Sequence, residues 1–219
     1  MAERVAVITG GAGDLAASIR EELRKAGFVV HSPGREELDV AAAASVAEFF
    51  EPLERIDLLI NNAAIREDVI CARMSVEQWD AVLATDLRGA FLCCQAVTRK
   101  MAAQRSGHIV NIGSFSARNG NAGQANYAAA KAGLIGLTQS LAREFGKRNV
   151  RVNCVLPGFL ETKFTAGMAA DVREQALALH ELRKFNTVEE AARFIVFLDT
   201  MQFVSGQVFQ LDSRVGRWT

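Results

Sequence analysis

The chain has 219 residues, of which 50% are hydrophobic and 23% charged, and its 25 basic residues balance its 25 acidic residues. This composition is typical of a globular protein and predicts one domain over residues 1–219. The neutral charge argues against a nucleic-acid partner, and no apolar run approaches the about 18 residues of a membrane span.

Short β-rich runs alternate along the chain with longer segments of helical spacing. The predicted strands are Arg4–Thr9, Phe28–Ser32, Asp57–Asn61, His108–Ser114, Val150–Leu156 and Gly206–Leu211. The predicted helices are Leu15–Ala26, Ala42–Leu53, Val76–Met101, Asn126–Gly146 and Val188–Thr200. This alternation predicts an α/β protein, a doubly wound parallel sheet with helices on both faces. Ligands of such sheets bind at the carboxyl ends of the strands, so the loops there form the candidate site.

The first of these loops is rich in glycine. Gly10, Gly11 and Gly13 lie between the first strand and the first helix, where glycines let backbone N–H groups approach a pyrophosphate. This arrangement is typical of a Rossmann-type dinucleotide site, although an ordinary strand–helix turn stays an alternative for this stretch alone. Asp14 is unexpected there because it places a carboxylate beside the phosphates.

A second group of residues indicates proton transfer. Lys131 follows Tyr127, the only tyrosine of the chain, by four positions, which puts both on one face of a helix. A lysine cation there favours the phenolate, so we expect a lowered pKa for Tyr127. Ser114 ends a predicted strand at the same edge of the sheet, and its hydroxyl can share a carbonyl oxygen with the phenol. The Tyr–Lys pair alone is more typical of a helix surface, but the three residues together favour a catalytic site.

The sequence around these residues is similar to a known family. The motifs are ITGGAG at Ile8–Gly13, LDV at Leu38–Val40, INNAA at Ile60–Ala64, GNAGQANYAAAKAG at 120–133 and RVNCVLPGFLETKFT at Arg151–Thr165. With them the chain resembles the short-chain dehydrogenase/reductase family over essentially its whole length. Within that family it looks most like the 3-oxoacyl-[acyl-carrier-protein] reductases.

The resemblance implies a role for each matching residue. Tyr127 would protonate the ketone oxygen, Ser114 would hydrogen-bond that oxygen, and Lys131 would hold the nicotinamide ribose. The implied cofactor-binding residues are Gly10, Gly13, Asp14, Leu15, Ser32, Arg35, Asp39, Val40, Asn61, Ala63, Tyr127, Lys131, Pro157, Gly158 and Thr162. Asp39 and Val40 would contact the adenine, Asn61 and Ala63 would line the crevice, and Thr162 would bond the nicotinamide carboxamide.

The chain departs from the family pattern at two aspartates. Asp14 replaces a glycine, and we expect its side chain to cap the first helix rather than face the phosphates. Asp86 stands where relatives carry the asparagine that helps to hold a water on the proton relay to Lys131, so it joins the predicted catalytic set. A carboxylate there would raise the pKa of Lys131 and weaken its effect on Tyr127. Slower or pH-shifted turnover is expected.

A third departure lies after the second strand. The region His31–Val40 leaves only residues 33–37 between this strand and the LDV motif, so the usual helix is trimmed and the next strand is at most a stub. No acidic residue ends the second strand, whereas Ser32 and Arg35 can bond a 2′-phosphate, which favours NADP(H) over NAD(H). Arg35 as an ordinary solvated loop residue is the alternative.

Substrate and partners follow from the resemblance. Residues 159–185 would form a substrate lid, with Phe159, Leu160, Phe164 and Met168 as an apolar wall for an acyl thioester. An acidic acyl carrier protein would dock on basic residues, for which Arg99, Lys100, Arg105, Arg118, Arg183 and Lys184 are candidates. The long helices around 76–101 and 126–146 are expected to pair subunits in a homo-tetramer, with a dimer as the alternative.

Three functions remain open on the sequence. The preferred one is NADPH-dependent reduction of a 3-oxoacyl thioester. The others are reduction of another carbonyl compound and a slowed or non-catalytic partner subunit that retains the fold. The cysteines, Cys71, Cys93, Cys94 and Cys154, are expected to be buried thiols, and with three scattered histidines no metal site is predicted. The amino terminus lacks a signal-peptide pattern, which favours a cytoplasmic location.

Overall fold

A computed structural model describes residues 3–167 and 170–215. Within these residues one parallel sheet has the strand order β2-β1-β3-β4-β5-β6. Its strands are β1 (Arg4–Ile8), β2 (Phe28–His31), β3 (Leu58–Asn61), β4 (Gly107–Ile112), β5 (Val150–Leu156) and β6 (Val208–Gln210). The helices are α1 (Asp14–Lys25), α2 (Ala43–Phe50), α3 (Val76–Leu83), α4 (Ala90–Gln104), α5 (Ser116–Asn119), α6 (Ala125–Phe145), α7 (Ala170–Ala178) and α8 (Val188–Thr200).

The helices cover both faces of the sheet, as the alternation of elements predicted. Successive residues of a strand point to opposite faces, so Ile8 of β1 packs with α1 and α8 while Val7 packs with α2 and α4. Strands β3 and β4 are buried along their whole length, which accounts for their continuous apolar sequences. The α/β, Rossmann-type fold is confirmed.

The prediction of one continuous helix over 76–101 is wrong in one respect. A π-helical segment, Ala84–Gly89, separates α3 from α4, and Asp86 lies inside it. A π segment widens the helix by one residue and thereby rotates the side chains that follow. Ser114 also lies two residues beyond the end of β4 rather than within the strand.

The segment after β2 has neither a helix nor a strand, so the predicted trimming is confirmed. Residues 32–42 form turns and irregular backbone, which leaves β2 at the edge of the sheet among the described strands. Leu38 and Val40 turn inward from this segment and pack in the core beside Phe50. Their burial takes the place of the missing helix in covering this part of the sheet.

The cysteines are only partly as expected. Cys93, Cys94 and Cys154 are buried, and burial raises the pKa of Cys94 to about 12 and that of Cys154 to about 11. Cys71 is exposed, contrary to the prediction, because the short 3-10 turn Cys71–Arg73 lies on the surface before α3.

In the described part of the chain no helix combines the length and the apolar character that a membrane crossing needs.

Candidate active site

The predicted catalytic residues meet at the amino-terminal half of α6. Tyr127 and Lys131 lie one turn apart, with the Lys131 Nζ 5.5 Å from the centroid of the Tyr127 ring. The Lys131 ammonium is buried and donates a hydrogen bond to the Ile112 carbonyl oxygen at 3.1 Å. Ser114, two residues after β4, lies close enough to Tyr127 for its hydroxyl to lower the pKa of the phenol. The sheet therefore brings together the three residues that the sequence spacing singled out.

The start of α6 is held in place by Asn126, which the sequence analysis did not single out. Its Nδ2 donates to the carbonyl oxygens of Glu67 at 3.1 Å and Gln78 at 3.3 Å. Its Oδ1 accepts from the Tyr127 backbone N–H at 2.7 Å. Because Asn126 is fully buried, these bonds fix Tyr127 relative to the loop after β3 and to α3.

Asp86 contacts Lys131 directly. Its Oδ2 lies 3.3 Å from the Lys131 Nζ, and its Oδ1 accepts from the Ile65 N–H at 2.9 Å. Burial raises the pKa of Asp86, although Lys131 and the Ile65 N–H oppose the shift. Burial by itself would lower the pKa of Lys131, but Asp86 and Tyr127 together outweigh it and the pKa is raised. The expected effect of Asp86 on Lys131 is therefore present as a buried ion pair.

The predicted lowering of the Tyr127 pKa is wrong in its net direction. Burial raises the pKa of Tyr127, and Asp86 adds to this rise. Lys131, the Ser114 hydroxyl and Arg66 act in the opposite direction but do not outweigh them. The lysine contributes as expected, and its effect is partly cancelled by the carboxylate behind it.

The glycine loop is held between the ends of β2 and β3. Gly10 has φ +68°, and a Cβ there would lie 2.8 Å from the Ala63 Cα, whereas a Cβ at Gly11 would overlap the Ser32 carbonyl oxygen. The Thr9 hydroxyl accepts from the backbone N–H groups of Asn62 and Ala63, each at 3.0 Å. These close approaches require glycine, so this loop is more specific than an ordinary strand–helix turn.

Asp14 does not cap α1, contrary to the prediction. The N-cap is Gly13, without a side-chain hydrogen bond, and Asp14 is the first helical residue. The Asp14 Oδ2 accepts instead from the Lys163 backbone N–H at 2.7 Å. The carboxylate thus joins the glycine loop to the predicted lid, and among the described residues no side chain caps the first N–H groups of α1.

Three predicted cofactor residues cannot present their side chains to a ligand. Leu15 and Val40 are buried in the core, and Val40 packs against the backbone of Gly89. Asn61 is 4% exposed, and its Nδ2 donates to the Asn111 Oδ1 at 2.8 Å, so it lies beneath the crevice rather than along it. Packing of the core decides this outcome for Leu15 in α1, for Val40 after β2 and for Asn61 in the fully buried strand β3.

Around the expected adenosine position, Ser32 and Arg35 lie near the end of β2. The Ser32 Oγ is buried without a hydrogen-bond partner among the described residues. The Arg35 side chain is 82% exposed, with its Nη2 3.9 Å from the Asp39 Oδ2. The Asp39 Oδ1 accepts from the Ala41 N–H at 3.0 Å, so this carboxylate stabilises the turn.

The residues after β5 face the glycine loop. The Pro157 carbonyl oxygen accepts from the Asn186 Nδ2 at 2.8 Å, and Gly158 has φ +87° beside Asp212. Thr162 lies in the turn that follows, where its N–H donates to the Thr165 Oγ1 at 3.0 Å. Thr162 and Asp14 line one cavity of about 510 Å³.

The predicted lid is partly apolar. Phe159 packs on Phe185 with ring centroids 4.3 Å apart, and Leu160 is buried. Phe164 lies near the predicted catalytic tyrosine, with its ring centroid 6.4 Å from that of Tyr127. Met168 lies outside the described residues.

The basic residues that were predicted to dock an acyl carrier protein do not all lie at the same end of the strands. Arg99, Lys100 and Arg105 lie near the carboxyl end of α4, away from the catalytic residues, because α4 leads back to the start of β4. The Lys100 Nζ donates to the carbonyl oxygens of Phe50 and Leu53, at 2.7 and 2.6 Å, and caps the end of α2. These three residues are therefore poorly placed to dock a partner at the site.

Comparison with known proteins identifies the family. The family model described as Enoyl-(Acyl carrier protein) reductase matches residues 6–213. The chain belongs to the short-chain dehydrogenase/reductase family. As a member of this family it is an NAD(P)-dependent oxidoreductase.

Three curated proteins to which the chain is similar share one name. A protein of Aquifex aeolicus named 3-oxoacyl-[acyl-carrier-protein] reductase FabG is 39% identical over 213 residues, which are 94% of this chain and 85% of the relative. A Staphylococcus epidermidis protein of the same name is 36% identical over 95% of this chain and 86% of its own length. A Thermotoga maritima protein of that name is 47% identical over 72% of this chain and 65% of its own length.

The residues present fit a nicotinamide dinucleotide. The backbone of the Gly10–Gly13 loop can cradle the pyrophosphate, the Ser32 Oγ is an unused buried polar atom, and the buried Lys131 ammonium is a donor that could hold a ribose hydroxyl. The cofactor supplies hydride chemistry when bound. The short-chain reductase itself supplies two hydroxyl groups, Ser114 and Tyr127, that can polarise and protonate a carbonyl oxygen.

Besides Asn126, two residues near the site were missed in the sequence. Asn62 donates from its Nδ2 to the Thr9 carbonyl oxygen at 3.1 Å and secures the glycine loop. Arg66 lies close enough for its charge to act on Tyr127. Both follow β3 at the carboxyl edge of the sheet, and that position alone could have marked them as candidates.

Proposed function

We propose that this short-chain reductase reduces the 3-oxo group of an acyl thioester on an acyl carrier protein, with NADPH as the hydride donor. The observation that carries the proposal is the cluster of Ser114, Tyr127 and the buried Lys131 beside a glycine loop that fits a dinucleotide. The names of the curated relatives support the substrate class.

The chain's own residues account for the proton transfer. The Ser114 hydroxyl and the Tyr127 phenol bind the ketone oxygen, and Tyr127 donates the proton to it. Lys131 holds its charge near the phenol, and Asp86 keeps Lys131 protonated and oriented. Because the Tyr127 pKa is raised, the proton is held firmly, and turnover near neutral pH is expected to be slow.

One assay tests this function. Purified protein is mixed with NADPH or NADH and an acetoacetyl thioester, and nicotinamide absorbance is followed. Oxidation that requires the thioester and disappears in Tyr127→Phe supports the proposal. Reduction of other ketones in preference to the thioester would favour a different carbonyl substrate. Cofactor binding by calorimetry without turnover would favour the slowed partner subunit, and absence of both binding and turnover would exclude every enzyme hypothesis.

The preference for NADPH rests on Ser32 and Arg35. Arg35 has a largely exposed guanidinium whose contact with Asp39 is long, at 3.9 Å, so it is available to a 2′-phosphate. Arg35→Ala is expected to weaken NADPH binding about tenfold and to leave NADH binding unchanged. Arg24→Ala, at the far end of α1, is the matched control. An equal effect of Arg35→Ala on both cofactors would mean that Arg35 is only a solvated loop residue.

Partners are proposed on the same basis. Of the predicted basic residues, Arg118 lies in α5, four residues after Ser114, and Arg183 and Lys184 lie in the predicted lid; these three are the candidates for contact with an acidic carrier protein. A 700 Å³ groove between the long helices is lined by Leu83, Leu87, Phe91 and Leu137, with Asp80 and Arg88 beside them.

A groove with apolar residues and both charges suits a two-fold contact with a second copy. We therefore retain the homo-tetramer, with a dimer as the alternative. Light scattering of Phe91→Glu, which is expected to dissociate the assembly, tests it. The single-domain organisation, the lid over 159–185 and the cytoplasmic location stay predictions.

A further inference from the structure

Arg66 lies over the ring of Phe164, which neighbours Tyr127, and the proposed mechanism does not use it. It follows β3 by five residues, at the carboxyl edge of the sheet. Its Cζ is 5.1 Å from the ring centroid of Phe164, and that ring lies 6.4 Å from the ring of Tyr127. The Arg66 side chain is 24% exposed, so the guanidinium lies at the boundary between the site and solvent.

The hydrogen-bonding capacity of this guanidinium is unused. Among residues 3–167 and 170–215 the Arg66 side chain makes no hydrogen bond, and its Nε is 3.8 Å from the nearest carboxylate oxygen, Asp68 Oδ2. The Asp68 carboxylate instead accepts from the Gln124 Nε2 at 3.2 and 3.3 Å. Arg66 therefore offers a planar fork of donors, partly desolvated by an aromatic ring.

The backbone on either side of Arg66 is tied to the catalytic residues. The Ile65 N–H donates to the Asp86 Oδ1 at 2.9 Å, and the Glu67 carbonyl oxygen accepts from the Asn126 Nδ2 at 3.1 Å. Asp86 pairs with Lys131, and Asn126 precedes Tyr127. The Cα of Arg66 is thus fixed relative to the phenol, as a substrate-orienting residue requires.

We propose that Arg66 binds the thioester carbonyl oxygen of a 3-oxoacyl substrate and so orients the 3-oxo group toward Tyr127 and Ser114. This inference rests on the proposed function and names the residue that would select its substrate class. In a 3-oxoacyl thioester one methylene separates the two carbonyl groups, so a donor beside the phenol can reach the second oxygen. An isolated ketone has no second carbonyl oxygen for Arg66 to bind.

The charge around Arg66 favours a neutral carbonyl over a carboxylate. Asp68 is 39% exposed and lies close enough to offset part of the positive charge, yet too far to occupy the donors. An anionic substrate group would be repelled by that carboxylate, whereas a carbonyl oxygen would still accept a charge-assisted hydrogen bond. Arg66 also lowers the pKa of Tyr127, which agrees with its position near the phenol.

A matched pair of substrates tests the contact. One is the acetoacetyl thioester of N-acetylcysteamine, and the other is the thioether ketone in which a methylene replaces the thioester carbonyl. Arg66→Met is expected to lower kcat/KM for the thioester about tenfold to a hundredfold, mostly through KM, because it loses a hydrogen bond from a charged donor. The ratio of the two substrates isolates this contact, since any change in Tyr127 acidity affects both alike.

Control variants separate the contact from general damage. Arg66→Lys keeps the charge and should retain part of the preference for the thioester. Arg24→Met, in the exposed last turn of α1, should leave both substrates unaffected. Equal thermal midpoints for the three variants and the wild type would show that folding is intact.

The outcomes distinguish this inference from the proposed function. If the wild type reduces neither compound, the proposed function fails and the role of Arg66 fails with it. If the wild type reduces the thioester but Arg66→Met keeps the wild-type ratio between the two substrates, the role of Arg66 alone is wrong. A selective loss on the thioester supports both.

Discussion

Replacing Asp86 with asparagine removes one charge from the buried pair with Lys131 and keeps its shape. The amide oxygen can still accept from the Ile65 N–H, now at 2.9 Å from the Asp86 Oδ1. Lys131 would then act on Tyr127 without an opposing carboxylate. We expect Asp86→Asn to lower the pKa of Tyr127 and to increase turnover near neutral pH.

The distances give the scale of this effect. With an effective dielectric constant of about 20, the 3.3 Å between Lys131 and Asp86 corresponds to about 5 kcal/mol of attraction. The 5.5 Å between the Lys131 Nζ and the Tyr127 ring corresponds to about 3 kcal/mol for the phenolate. If a third to a half of the latter is now cancelled by Asp86, its release raises the phenolate-to-phenol ratio roughly five- to tenfold.

The lone tyrosine makes the assay specific. Because Tyr127 is the only tyrosine of the chain, a titration of tyrosinate absorbance reports this one group. The titration curve of Asp86→Asn should shift to lower pH, and the pH dependence of kcat/KM should shift with it. Lys131 also loses its carboxylate partner, so its own pKa falls, and the gain in phenolate holds only while Lys131 stays protonated.

A double variant provides the control. In Lys131→Met the tyrosinate titration should shift to higher pH. Adding Asp86→Asn to this variant should then shift the titration much less than it does in the wild type, because the lysine on which Asp86 acts is gone. An unchanged or higher tyrosinate midpoint in Asp86→Asn, with the fold intact, would refute the reasoning. If Asp86→Asn shifts the titration equally with and without Lys131, Asp86 acts directly on Tyr127 and not through Lys131.

Three further changes test other parts of the structure. Asp14→Asn keeps an acceptor for the Lys163 N–H but removes the negative charge beside the expected phosphates. Calorimetry should therefore show that NADPH and NADH both bind about two- to fivefold more tightly, and weaker binding would contradict this. Gly11→Ala forces the loop away from Ser32 and should cost about 1–3 kcal/mol in urea unfolding, unlike Gly146→Ala, where the added Cβ meets open space and φ is −55°. Asp199→Ala should cost about 3 kcal/mol at pH 7.

The Asp199 prediction has a definite pH dependence. Burial alone would raise its pKa, but the His108 hydrogen bond and the charges of His108 and Arg4 outweigh it, and the pKa is lowered. A lowered pKa stabilises the fold above the ordinary value of about 4, and this stability is lost as pH falls. The difference in unfolding free energy between the wild type and Asp199→Ala should therefore shrink below about pH 4. A constant difference would contradict this assignment.

The fold was largely predictable from local sequence. Apolar runs and helical spacing identified every strand of the described sheet and the long helices, and the predicted bounds of α8 are those observed. These patterns work because each element must bury one stripe or both faces, which local residues specify. The Tyr127–Lys131 spacing succeeded for the same reason, since one turn of a helix places both side chains together.

The sequence by itself therefore determined the α/β fold, the glycine loop and the cluster of Ser114, Tyr127 and Lys131. Only the tertiary structure decided how these groups are charged and what they contact. Asp14 bonds to Lys163, 149 positions away, and a π segment brings Asp86 against Lys131. Burial, which depends on the whole packed chain, reversed the expected direction of the Tyr127 pKa. Such contacts join residues distant in sequence, and no local periodicity encodes them.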